Sequence, residues 1–173
     1  MQNTFNSQDP STRITVLGVG NLLLSDEGVG VRVVEYLNRK FQFGDNVRLV
    51  DGGVLGVGLM GVISDSDVLI VVDAVCNQGP PGTLYRLEGD QVPRRVLAKQ
   101  SMHQLDLPEV LALCEAIDVN PHVIVLGVEP QDISTMDIKL TPVVAARVES
   151  LSQMVLSELK ILGAAYSPYH PMR

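Results

Sequence analysis

Residues 14–30 read ITVLGVGNLLLSDEGVG, and the reading of this stretch decides the rest of the chain. Ile14, Thr15, Val16 and Leu17 make a short, β-branched, mostly apolar run, the composition of a buried strand. Gly18 and Gly20 interrupt it, and Ser25 or Asp26 is suited to cap a helix beginning near Glu27. The order is strand, loop, helix start, with carboxylates at the helix mouth. The spacing comes close to the dinucleotide-binding pattern GxGxxG, but Leu23 stands where the third glycine would permit close helix–strand packing. Asp26 and Glu27 would also repel a pyrophosphate at the helix N-terminus. A nucleotide is disfavoured here, and an acidic, metal-facing loop is favoured.

Outward from this stretch, strand and helix patterns alternate. Gly30, Val33, Val34, Leu37 and Phe41 recur at helical spacing, with Arg32, Glu35, Asn38 and Arg39 on the other faces. Phe43-Gly44-Asp45 reads as a turn, and Val47 to Val50 as a second strand running into Asp51-Gly52-Gly53. Leu55, Leu59, Val62 and Ile63 give a short, glycine-rich helix. Val68 to Val72, the most continuous apolar run, predicts a central parallel strand covered on both faces and ending at Asp73. Beyond the turn at 79–82, residues 83–88 alternate as an exposed edge strand, antiparallel because the connection is short.

A polar, basic segment then leads to Ser101-Met102-His103-Gln104, followed by a helix over about 107–117 and an apolar strand over 123–128. Thr141-Pro142 supplies an N-cap and a first helical proline for the last helix, which runs to about Leu162 and stops at Gly163. The pattern predicts a three-layer α/β sandwich: a mostly parallel twisted sheet, helices on both faces and one antiparallel edge strand. The expected organisation is a disordered extension over 1–12, one domain over 13–163 and a flexible tail over 164–173.

Bulk properties narrow the function classes. A chain of 173 residues buries a core without staples, and its net charge of −7 argues against nucleic acid or an anionic membrane as partner. No apolar run approaches the ~18 residues of a membrane span. The first twelve residues lack the basic and apolar regions of a signal peptide, so a cytoplasmic location is expected. Cys76 and Cys114 form no CxxC pair and are read as small, buried or half-buried hydrophobes rather than a disulfide or zinc framework.

In parallel α/β sheets, ligands sit outside the carboxyl ends of the strands. Glu27 follows the first strand, Asp51 ends the second and Asp73 ends the third, so the three acids should share one edge. Each also has a plain structural use: Asp73 as a cap or turn-former, Glu27 against a helix dipole, Asp51 as a turn initiator. His103 by itself reads as a surface residue in a polar loop, although imidazole is a good metal ligand; His122 and His170 read as solvent-facing. No GxSxG elbow, Cys–His signature or HExxH motif occurs. Water activated by a metal or a carboxylate is what remains for hydrolytic chemistry. Leu22-Leu23-Leu24 is either core or an exposed wall beside these acids.

Taken in order and spacing, Gly18-Val19-Gly20-Asn21, Ser25-Asp26-Glu27-Gly28, Asp51-Gly52-Gly53, Asp73-Ala74 and Ser101-Met102-His103-Gln104 resemble the hydrogenase maturation endopeptidases. These proteases trim the C-terminal extension from the large subunit of nickel–iron hydrogenases. The resemblance covers about 13–162. It implies that Glu27, Asp73 and His103 occupy metal-binding positions, a carboxylate–imidazole set that suits Ni²⁺ or Zn²⁺ rather than soft Cu(I). It further implies that the nickel arrives in the precursor, and other divalent ions are expected to be able to occupy the site in vitro. The expected catalytic group is Asp51, Glu27 and Asp73, with Asp51 acting electrostatically or on substrate position rather than as a ligand. The expected partner is a large-subunit precursor and the expected state a monomer. The alternative is a non-catalytic nickel-binding escort or scaffold for that precursor.

Overall fold

The computed structural model describes residues 9, 11–54, 56–89 and 107–169. Five strands form the main sheet: β1 (Ile14–Val19), β3 (Val47–Gly53), β4 (Val68–Ala74), β5 (Leu84–Glu88) and β6 (His122–Val128), in the order β3-β1-β4-β6-β5. The first four in that order run parallel, and β5 pairs antiparallel with β6 at the edge. Every residue of β4 is buried, which accounts for its unbroken apolar run. Glu88, at the far end of β5, and the exposed Arg86 mark the edge strand by their charge.

Alternation along the strands separates two cores. Val16, Val68, Ile70, Val72 and Leu126 face α1 (Val29–Lys40) and α5 (Val148–Ile161), whose Val33, Leu37, Leu151 and Val155 complete that layer. Leu17, Leu69, Val71 and Val125 face α2 (Leu59–Ser64) and α3 (Leu107–Ala116) through Leu59, Ile63, Val110 and Cys114. The three layers and the antiparallel edge are those expected.

The intimate packing that a dinucleotide fold obtains from its third glycine is supplied here by two others. A Cβ on Gly30 would collide with the Val72 and Val19 carbonyls, and one on Gly18 with the Gly30 carbonyl. α1 therefore leans directly across the carboxyl ends of β1 and β4.

Several boundaries differ from the sequence reading. A 3-10 turn over Ser25–Gly28 precedes α1, and neither Ser25 nor Asp26 caps it with a side chain. The last helix is split into α4 (Pro142–Ala145) and α5, and the Thr141 hydroxyl bonds elsewhere instead of capping. Gly163, at φ +70, ends α5 as expected. The chain does not leave the fold at 163: Tyr166–Pro168 forms β7, paired antiparallel with β2 (Phe41–Phe43). Phe41 thus belongs to a strand rather than to the helix, and its ring meets Tyr166 edge-on with centroids 6.1 Å apart. At the other end Thr12 is already buried, its carbonyl accepting from the Asn46 side chain at 3.1 Å. Cys114 is buried, but Cys76 is exposed, against the half-buried reading.

Candidate functional site

Parallel pairing puts the carboxyl ends of β3, β1 and β4 on one edge: Gly18 is opposite Asp51 on one side and Val72 on the other. Asp51 and Asp73 therefore flank β1, their backbones separated by two strand spacings, or ~10 Å. Glu27 lies in the turn that follows β1, and that turn packs against β4. The shared edge expected from topology is present.

The acids differ in what they face. Asp73 continues the series Leu69, Val71 and so lies on the α2/α3 side of the sheet, 1% exposed. Its Oδ1 accepts the Ala74 N–H at 2.8 Å. Asp51 continues the series Val47, Leu49 on the α1 side and is exposed. Its Oδ1 accepts the Gly53 N–H at 3.0 Å, closing a turn in which Gly53 takes φ +45. Glu27 is buried. The turn-forming role weighed for Asp51 is thus real, without removing its carboxylate from solvent.

His103, with Ser101, Met102 and Gln104, lies outside the described residues. The helix after it can be placed. α3 touches the 3-10 turn Gly56–Gly58 that follows β3, and its other end leads back to the start of β6. α3 therefore begins at the carboxyl edge, on the same face as Asp73, and His103 precedes its first residue by four positions in sequence. Among the described residues, no three His, Cys, Asp or Glu side chains are grouped to hold a metal ion.

Two buried acids at this edge were not singled out as site residues. Glu129 follows β6 and accepts from the Asn77 N–H at 2.9 Å and the Tyr85 hydroxyl at 2.7 Å. Loss of solvation, and then this carboxylate, push the Tyr85 phenol above its ordinary pKa. The strand-end rule that selected Asp73 applies equally to Glu129. Asp26, read as a cap, instead accepts four hydrogen bonds from Gln131, Asp132 and Thr141.

Beside the Glu27 turn the surface is apolar. Leu23 is 56% exposed while Leu22 and Leu24 are half-buried, so the triplet is not core as a unit. A backbone bridge from Leu24 to Asp137 brings it alongside Met136 and Ile138, which are 82% and 60% exposed.

Residues 31–158 match the hydrogenase maturation protease family, HycI. The chain belongs to that family. It is 43% identical over 152 residues to the hydrogenase expression/formation protein HupD of Thiocapsa roseopersicina, covering 87% of this chain and 69% of that protein. It is 39% identical to the hydrogenase 2 maturation protease of Escherichia coli K12, covering 90% of this chain and 96% of the relative. The solved hydrogenase maturating endopeptidase HybD from E. coli superposes with a TM-score of 0.83 at 38% identity, over 91% of this chain and 98% of that one. The chain is a peptidase of the α/β architecture that family shares.

Proposed function

We propose that this peptidase removes the C-terminal extension of a nickel–iron hydrogenase large-subunit precursor after nickel insertion, recognising the metal through Glu27, Asp73 and His103. The observation that carries this reading is the burial of Glu27 and Asp73 at neighbouring positions of the carboxyl edge, where α3 also begins. Two carboxylates with an imidazole fit a borderline divalent ion, which the precursor would deliver. Three protein donors leave coordination positions open for the precursor's own ligands.

Hydrolysis adds water across the scissile C–N bond: oxygen to the carbonyl carbon, protons to the leaving amine. A bound metal ion supplies Lewis-acid polarisation. A carboxylate of the chain takes the proton from the attacking water and passes it to the amine, which is carboxylate-type protease chemistry. Asp51, exposed on the neighbouring strand end, orients the incoming segment. Leu23, Met136 and Ile138 form the apolar wall against which the precursor lies. The same reading places the enzyme in the cytoplasm as a monomer meeting its precursor there.

The test is purified precursor with and without nickel. Cleavage confined to the nickel-loaded form is the expected result. Equal cleavage of nickel-free precursor would remove metal recognition while leaving the protease, and complex formation without cleavage would favour an escort.

A further inference from the structure

We propose that Asp26 is a positioning residue for Glu27: its buried carboxylate clamps residues 131–141 onto the turn that carries Glu27, and catalysis depends on that clamp. This rests on the role given to Glu27 above.

Asp26 is fully buried, in the turn between β1 and α1. Its Oδ2 accepts the N–H groups of Gln131 at 2.9 Å and Asp132 at 3.0 Å, and the Thr141 hydroxyl at 2.9 Å. Its Oδ1 accepts the Thr141 N–H at 2.7 Å. These donors come from the two ends of one segment, so a single carboxylate closes the segment into a loop. The backbone answers in kind. The Asp26 N–H donates to the Asp132 carbonyl at 3.0 Å, and the Ser25 N–H to the Asp137 carbonyl at 2.7 Å. The Ser25 hydroxyl donates to the Lys139 carbonyl at 3.1 Å, and Arg32 reaches the Ile138 carbonyl at 3.0 Å.

Helix stability does not account for this arrangement, because the Asp26 side chain caps nothing in α1. Local preference does not account for it either. Ser25 sits at φ +45, a left-handed conformation that serine adopts rarely, so the turn is held by its partners rather than by its own sequence. Glu27 shares a peptide plane with Asp26. Any movement of the clamp rotates the backbone from which the Glu27 side chain departs, and a displacement of about 1 Å is enough to lose ~100-fold in rate.

The chemistry of Asp26→Asn is specific. Whichever way the amide turns, its NH₂ faces an N–H donor: Thr141 on one side, or Gln131 and Asp132 on the other. The variant is isosteric, but it gives up the Thr141 N–H bond in one orientation and those of Gln131 and Asp132 in the other.

The experiment measures processing of nickel-loaded precursor by full-length enzyme, normalised to the folded fraction from circular dichroism. Asp26→Asn is expected to lower kcat at least tenfold with KM within twofold. Thr141→Val, which deletes one donor, should lower kcat severalfold, and the double variant should lose less than the product of the two. A merely structural Asp26 would lower the melting temperature and leave kcat per folded molecule unchanged, which overturns the proposal. Unchanged kcat with a tenfold higher KM also overturns it, since residues 131–141 would then be contacting precursor. If Asp26→Asn does not fold, Thr141→Val decides, full kcat counting against the clamp. Glu27→Gln run in parallel separates the two readings. Inactive Glu27→Gln beside fully active Asp26→Asn defeats the clamp alone, whereas fully active Glu27→Gln defeats the site beneath it.

Discussion

The two edges of the main sheet hold their acids in opposite ways. At the amino edge Asp67 and Glu88 meet cations. Asp67 accepts from Arg13 at 2.8 and 3.1 Å, and Glu88 lies between Arg86 at 2.7 Å and His122 at 2.8 Å. These groups are largely solvated, and exposed pairs of this kind contribute little. At the carboxyl edge Asp26, Glu27, Asp73 and Glu129 are all buried. The bonds described for Asp26, Asp73 and Glu129 come from backbone N–H groups and hydroxyls. Placing carboxyl groups away from solvent costs solvation, which such hydrogen bonds offset. The amino edge pairs its charges in solvent, whereas the proposed function assigns the buried acids of the carboxyl edge to the reaction.

The contrast breaks most visibly if the buried acids turn out to be structural. Asp73→Asn keeps an oxygen to accept the Ala74 N–H and removes a charge at a site 1% exposed. Processing should fall by roughly two orders of magnitude or more if Asp73 holds metal as proposed, since loss of a ligand exceeds the 10–100-fold typical of its supporting partners. Glu27→Gln and His103→Ala should show the same loss of processing. A strongly destabilised Asp73→Asn with ordinary turnover per folded molecule would place this edge in the same class as the other.

Much of the carboxyl edge was legible because topology follows from pattern. Val68 to Val72 is apolar at every position, so a parallel centre and a strand end at Asp73 follow from composition. Which face each acid takes was not legible. It depends on the register that sets Gly18 opposite Asp51 and Val72, a fact of pairing rather than of sequence. Asp26 was read as a cap because local rules see only neighbours, and its donors lie 105 to 115 positions away. The pairing of β2 with β7 escaped for a related reason. Strands of three residues carry no readable alternation, and Tyr166 offers no hint of the rings of Phe41 and Phe43.

Asp51 sharpens the comparison at an intermediate level. It shares the carboxyl edge but is exposed and lies on the α1 side, away from Asp73. A residue that orients the arriving chain without holding metal should affect turnover less than a ligand does. Asp51→Asn is expected to lower kcat/KM about tenfold, at the weaker end of such positioning effects. Divalent-ion binding, followed by calorimetry, should be unchanged. An unaltered rate would reduce Asp51 to the turn it makes with Gly53.

The smallest effect belongs to the amino edge and carries a sign. The Arg86 guanidinium, more than His122, holds the Glu88 carboxyl below its ordinary pKa, against a desolvation that acts the other way. Arg86 is also anchored by Glu158 at 2.6 and 3.1 Å, so the cation stays in place when Glu88 is changed. A carboxyl whose pKa is lower in the folded state stabilises the fold above its unfolded value, about 4.3, and that contribution disappears as pH falls through the folded value. Wild type should therefore exceed Glu88→Gln in stability near neutral pH, by less than about 1 kcal/mol because both partners are partly solvated. The difference should close at acid pH, measured as the gap between their urea midpoints, while processing by the two proteins stays equal throughout. A gap that persisted in acid would mean that the Glu88 charge contributes nothing. A loss of processing would mean that the two edges are coupled, and the division of labour between them would have to be redrawn.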